Sequence, residues 1–144
     1  MPMNLQETYS YLLQIRKKEY AIKRKLLRCE ELRSCMGVKA IRYDKDCARA
    51  APSDRTGEII CKIVDLEEQI ERLKQEKALL IIEIGDAIEQ LPDDNEKTVL
   101  TAYYIRRLTM EQVAAEMDYS LQHTYRLRKR GVRHISGILG GTAS

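Results

Sequence analysis

Apolar residues recur every three or four positions along two long stretches of the chain. Between residues 4 and 36 they are Leu5, Leu12, Ile15, Ile22, Leu26 and Cys29, with Thr8 and Glu19 as the polar exceptions. Between residues 56 and 91 they alternate steps of four and three: Ile59, Ile63, Leu66, Ile70, Leu73, Leu80, Ile84, Ala87 and Leu91, with Lys77 as the polar exception. This spacing predicts two long helices with apolar stripes of the coiled-coil type.

An isolated helix with such a stripe would leave its apolar face in water, so each helix needs a partner. The segment between the helices, residues 37–55, loses the periodicity and collects turn-forming residues such as Gly37 and Pro52. We therefore predict an antiparallel helical hairpin closed by this loop, with Lys77 opposite residues 17–19. A homodimeric coiled coil is the alternative, and both arrangements can hold at once.

Charge supports a pairing between the two helices. Residues 1–36 contain eight basic and four acidic residues, whereas residues 58–94 contain four basic and eleven acidic residues. Helices of opposite charge attract each other. The acidic helix is first interpreted as a solvated face opposite a basic partner helix, and a surface that mimics DNA or contacts a polymerase is the alternative.

The second long helix is expected to end at Leu91, because Pro92 cannot continue the helical hydrogen bonds and Asp93 or Asp94 can cap a new helix. We place the domain boundary here. Residues 1–91 would form the hairpin, residues 92–138 a second domain, and residues 139–144 a flexible tail.

The second domain contains the local signals of closely spaced short helices. A first helix is predicted over residues 96–108, and Thr109–Gln112 then form a capping box that starts a second one. Asp118-Tyr119-Ser120 is a tight turn in which Ser120 caps a third helix. Asp118 occupies the left-handed position that often takes Gly, and Asp tolerates that conformation better than most residues.

This pattern is typical of a helix-turn-helix, which binds the DNA major groove with its second helix. The inward positions are expected to be Val113, Ala114, Met117, Tyr119, Thr124 and Leu127. Gln and Arg suit base edges, and Lys and Arg suit phosphates. The candidate DNA-binding residues are Ser120, Leu121, Gln122, Tyr125, Arg126, Lys129, Arg130 and Arg133.

The charge of the third helix raises the weight of this interpretation. Residues 120–135 contain five basic residues and no acidic one. An acid-free basic helix is a good candidate for a surface that binds a polyanion. A purely structural helical bundle is the competing interpretation of the same three helices.

The stretch Leu100–Ile135 resembles region 4 of the sigma-70 family, in the form Tyr-Ile-x-x-Leu-Thr-x-x-x-Val-Ala-x-x-Met-x-Tyr-Ser from Tyr104 to Ser120. With the helical hairpin before it, the chain resembles the phage-encoded regulators of the ArpU/RinA type. The resemblance implies a regulator of late phage genes that binds promoter DNA in the bacterial cytoplasm, at the nucleoid. Arg107 departs from the family at a position where Gly is frequent.

Other classes of function find little support in the sequence. The densest apolar stretch, residues 78–82, is far shorter than the roughly 20 residues that span a membrane. The four Cys have irregular spacing that does not favour a metal site, and His123 and His134 are expected at the surface. No nucleophile–base pair or phosphate-binding loop is evident, so we expect no enzyme activity, no metal and no cofactor.

We therefore expect an all-α protein: a long antiparallel coiled-coil hairpin followed by a sigma-70 region 4-like helix-turn-helix that binds double-stranded DNA, as a homodimer. Two alternatives remain open. A recognition subunit for DNA packaging, like a small terminase, would use the same module within a ring, and a coiled-coil adaptor would have no affinity for nucleic acid.

Overall fold

The structure is a computed structural model that describes residues 4–36 and 54–142. This part of the chain consists of helices joined by short turns and contains no strand, which confirms the all-α prediction. The elements are α1 (Leu5–Leu12), α2 (Gln14–Cys35), α3 (Asp54–Glu89), α4 (Asp94–Leu100), a π-helical turn (Thr101–Ile105), α5 (Met110–Met117) and α6 (Leu121–Thr142). The predicted loop over residues 37–55 lies almost wholly outside the described residues.

The long helices begin and end close to the predicted positions. Asn4 caps α1, and its side chain accepts a 2.8 Å hydrogen bond from the Glu7 backbone N–H. The single helix predicted over residues 4–36 is divided at Leu13, whose backbone remains right-handed at φ −76° and ψ −7°. α3 runs from residue 54 to residue 89, two residues earlier at both ends than predicted.

Contacts divide the chain into two compact units. The two-helix unit is Lys18–Glu76, and the larger unit combines Met1–Lys17 with Lys77–Ser144. This division differs from the boundary predicted between residues 91 and 92, because α1, the first turn of α2 and the end of α3 group with the C-terminal helices.

In the two-helix unit, α2 and α3 run in opposite directions. Their shared core contains Ile22, Cys29, Leu66 and Ile70, with Leu32 and Leu73 packed against it. Polar side chains bridge the two helices at three levels: Lys18 with Glu76 at 2.9 Å, Lys25 with Gln69 at 2.7 Å, and Arg33 with Glu67 at 2.7 Å. Leu26, which was expected on the apolar stripe, is instead 42% exposed.

The larger unit contains two clusters of buried side chains. One joins α1, the first turn of α2, the end of α3, α4, the π-helical turn and α6, through Leu12, Ile15, Ile84, Ala87, Ile88, Leu91, Leu100, Tyr104, Val132 and Ile135. The other joins α4, the π-helical turn, α5 and α6, through Val99, Ala102, Val113 and Leu127. α6 therefore packs against α1, α4 and α5.

Two details of the larger unit differ from the sequence predictions. The helix predicted over residues 96–108 contains the π-helical turn, in which the Arg106 N–H donates to the Thr101 carbonyl at 2.9 Å. Two side chains of this turn pack in different clusters, Ala102 in the second and Tyr104 in the first. The flexible tail predicted from residue 139 is wrong as far as residue 142, because α6 continues to Thr142 and Leu139 packs on the first cluster.

Candidate nucleic-acid interface

The segment from α5 to α6 has the local geometry that its sequence predicts. Thr109 and Gln112 form the reciprocal capping box, with hydrogen bonds of 2.9 and 3.1 Å. Asp118 ends α5 in the left-handed conformation, at φ 58° and ψ 41°. The Ser120 hydroxyl accepts a 3.1 Å hydrogen bond from the backbone N–H of His123, so Ser120 caps α6.

One face of α6 is buried against the rest of the larger unit. Thr124, Leu127, Val132 and Ile135 are all at most 2% exposed. On α5, Val113 and Ala114 are buried, and Met117 and Tyr119 pack at the edge of their cluster. These inward positions match the sequence prediction, and they fix which residues of α6 face outward.

The structure leaves all eight predicted site residues exposed to solvent. They are Ser120, Leu121, Gln122, Tyr125, Arg126, Lys129, Arg130 and Arg133. Leu121 and Tyr125 belong to the few large apolar side chains that stay exposed, at 41% and 42%. The predicted residues therefore share the outer surface of one helix.

Within this surface, three basic side chains are available to an external ligand. In the described part of the chain, Arg126, Lys129 and Arg133 form no ion pair and stack on no aromatic ring. They follow Gln122 at intervals of four, three and four residues, so the four residues form a stripe about 16 Å long on one face of the helix. We call these four residues the basic stripe.

Arg130 is exposed but already has partners inside the protein. Its Nε donates to Glu96 Oε2 at 2.9 Å, and one Nη donates to Asp93 Oδ2 at 2.9 Å. The Glu96 side chain is 1% exposed, and its other oxygen lies 2.7 Å from His134 Nδ1. A buried carboxylate needs such partners. Arg130 and His134 therefore attach α6 to the start of α4.

Asp93 belongs to the same network and caps α4. The Asn95 backbone N–H donates to its carboxylate at 2.8 Å, and this hydrogen bond holds the pKa of Asp93 below its usual value, with a further contribution from Arg130. The cap and the ion pair both favour the ionised carboxylate. Asp93 thus connects the start of α4 to the surface of α6 at neutral pH.

The fifth basic residue of the acid-free stretch, Arg128, faces a group of tyrosines. Its guanidinium lies 4.9 Å from the centre of the Tyr103 ring, 5.2 Å from Tyr125 and 6.0 Å from Tyr9. Its Nε is buried and forms no hydrogen bond. Arg128 is therefore half-buried among aromatic rings, a favourable environment for a guanidinium.

Arg16 also stacks on Tyr103, one of the tyrosines that contact Arg128. Its guanidinium lies 4.6 Å from the Tyr103 ring centre, and one Nη donates to the Tyr103 carbonyl at 2.9 Å. Tyr103 thus contacts two guanidinium groups. A continuous row of stacked side chains runs from Arg16 through Tyr103 and Arg128 to the exposed ring of Tyr125.

Sequence reasoning did not find Arg16, Glu96 or Arg128 as residues that shape this surface. Glu96 has the sequence signature of an ordinary acidic residue in the first turn of a helix. One signal was present: Arg130 and His134 are four residues apart on α6 and can reach one carboxylate. That the carboxylate belongs to Glu96 depends on the packing of α4 on α6.

The cysteines and histidines do not form a metal site within residues 4–36 and 54–142. In these ranges no three His, Cys, Asp or Glu side chains lie together in a way that could hold a metal ion. Cys29 is buried, and burial raises the pKa of its thiol; Cys35 and Cys61 are exposed. Cys47 lies outside the described residues. In the same two ranges, no helix combines the length and apolarity needed to cross a membrane.

Comparison with known families gives a match over most of the chain. A family model described as "Protein of unknown function (DUF1492)" matches residues 40–136, about two thirds of the chain. The chain belongs to this family. The match to the DUF1492 family includes α3 to α5 and α6 as far as residue 136, and so contains the whole basic stripe. No curated protein and no solved structure gives a significant match.

Proposed function

We propose that α5, the turn at residues 118–120 and α6 form a helix-turn-helix that binds double-stranded DNA. The observation that carries the proposal is the basic stripe: three unpaired cations and an amide on the exposed face of a helix whose other face is buried. A cation whose charge is not used inside the protein keeps its full attraction for phosphates.

The proposed roles follow from position along α6. Residues near the start of a recognition helix approach base edges, so Gln122 and Arg126 would contact bases, where Gln suits adenine and Arg suits guanine. Lys129 and Arg133 lie further along and would contact phosphates. Arg130, which the sequence suggests as a phosphate contact, is better suited to hold α6 on α4 through Glu96.

We further propose that the protein is a transcriptional regulator of the ArpU/RinA type, with a sigma-70 region 4-like module and a coiled-coil hairpin. The antiparallel packing of α2 and α3 in the two-helix unit supports the hairpin. The regulator would act as a homodimer on late phage promoters, with RNA polymerase as its protein partner, at the nucleoid of the host cell.

A salt titration tests DNA binding. The triple variant Arg126→Ala, Lys129→Ala and Arg133→Ala should bind random duplex DNA more weakly, and its affinity should depend less steeply on salt. A matched control removes three exposed cations of α2: Lys23→Ala, Arg24→Ala and Arg28→Ala. Equal losses in both variants would indicate nonspecific attraction by net charge. No binding of duplex by the unchanged protein at low salt would favour the adaptor.

Specificity and assembly are tested separately. Arg126→Ala should reduce discrimination between the selected site and random duplex by about 1–3 kcal/mol; an unchanged ratio would contradict the base contact. Light scattering of the full chain distinguishes the regulator from the packaging subunit, because a dimer supports the first and a large ring supports the second.

A further inference from the structure

Two apolar side chains occupy the start of the proposed recognition helix, where they are unexpected on a surface made for phosphates. Leu121 and Tyr125 are 41% and 42% exposed and lie four residues apart, so their side chains are neighbours on one face. Gln122 and Arg126 directly follow each of them in sequence and are exposed as well. We call Leu121 and Tyr125 the apolar pair.

The ring of Tyr125 is held by a neighbour. The Arg128 guanidinium lies 5.2 Å from its centre and is itself stacked on Tyr103, which contacts Arg16. Stacking on a cation favours one orientation of the tyrosine ring. An apolar side chain that is oriented before binding loses less entropy when it meets a ligand.

We propose that the apolar pair contacts the C5-methyl groups of thymines in the major groove, so that the protein selects thymine at defined positions of its site. This inference rests on the proposed DNA binding, and it adds that the protein prefers thymine at particular base pairs. In B-DNA the thymine methyl group is the apolar feature of the major-groove edge of a base pair. The unpaired cations beside the pair, and the absence of acidic residues over positions 120–135, favour DNA as the occupant over another protein surface.

Replacement of thymine by deoxyuridine tests this directly, because uracil keeps every hydrogen-bonding group and lacks only the methyl. The full-length protein is first used to select its preferred duplex from random sequences. Each thymine of that duplex is then replaced singly, and affinity is measured by fluorescence anisotropy. We expect a loss of about fourfold at one or two positions, the value for one buried methyl group, and little change elsewhere.

Variants then assign the effect to side chains. Leu121→Ala and Tyr125→Ser should each bring the thymine-to-uracil affinity ratio close to one, at different thymines of the DNA site. Arg128→Leu should reduce this ratio at the thymine that Tyr125 contacts. Gln122→Ala is the matched control on the same turn of the helix, and it should lower affinity while leaving the ratio intact. Far-UV circular dichroism verifies that each variant is folded.

Each other result counts against the inference in a distinguishable way. Equal binding of thymine and uracil duplexes by the unchanged protein would overturn the methyl contact and leave DNA binding standing. A ratio that persists in both Leu121→Ala and Tyr125→Ser would assign the methyl contact to other residues and overturn the role of the apolar pair. Failure of the unchanged protein to bind any duplex would overturn the proposed function as well.

Discussion

α6 lies close to α4 at Gly131, and replacing this glycine by alanine tests the packing of the proposed recognition helix. A Cβ atom at this position would lie 2.9 Å from Leu100 Cδ1 and 3.2 Å from Leu100 Cγ. It would also lie 3.4 Å from Glu96 Cβ. Leu100 is completely buried, so its side chain has little room to move away. Gly137, on the same helix, has no atom within 4 Å of such a Cβ.

These two glycines separate backbone effects from packing effects. Alanine is favoured over glycine within a helix by about 1 kcal/mol, and Gly137→Ala should raise the free energy of unfolding by about this amount. Gly131→Ala has the same backbone gain, but added volume in a packed core typically costs about 1–3 kcal/mol. The difference between the two variants should therefore be about 1–3 kcal/mol, with Gly131→Ala the less stable.

Urea unfolding followed by far-UV circular dichroism measures this difference, with both variants and the unchanged chain compared at one protein concentration. Comparison within one helix removes most of the effect of alanine on the unfolded state. If Gly131→Ala were as stabilising as Gly137→Ala, α6 could not lie this close to Leu100. The inward and outward faces assigned to α6 would then need revision.

Three further predictions concern helix ends. Thr109→Ala removes one side of the capping box of α5 and should lower the free energy of unfolding by about 1 kcal/mol, measured by urea unfolding. Asp118→Gly should be neutral or slightly stabilising, whereas Asp118→Val should cost about 1–2 kcal/mol because of the left-handed backbone. The depressed pKa of Asp93 means that its stabilising contribution, present above the pKa of the unfolded chain, is lost as pH falls through the folded-state pKa. Asp93→Asn should thus flatten the acid limb of a stability–pH curve, and an unchanged limb would contradict this.

The sequence predicts the local features of this protein well because each depends on neighbouring residues. The two capping boxes, the left-handed Asp118 and the Ser120 cap all follow from side chains within four positions of the backbone they complete. Arg107 differs: its positive φ of 60° was not predicted, because an arginine does not by itself indicate a left-handed backbone.

The features that the sequence does not predict depend on contacts between distant segments. Residues 4–17 join the larger unit because Leu12 and Ile15 share a core with Ile88 and Ile135, whereas a heptad pattern indicates only that some partner helix covers them. The same holds for Glu96, whose buried position arises from its contact with Arg130, more than 30 residues later in the chain.

Some basic residues of α6 have partners inside the protein and others do not, and this difference should be measurable in the salt dependence of DNA binding. Five basic residues lie in the acid-free stretch, but Arg128 is stacked among tyrosines and Arg130 is ion-paired with Glu96 and Asp93. If all five released counterions from DNA, the logarithm of affinity would fall with the logarithm of salt concentration at a slope of about −4.5 per protomer. With only Arg126, Lys129 and Arg133 available, the slope should be about −2.7. A measured slope near about −3.6, returned to about −2.7 by Arg128→Leu, would show that the tyrosine stack opens and Arg128 contacts DNA when the protein binds.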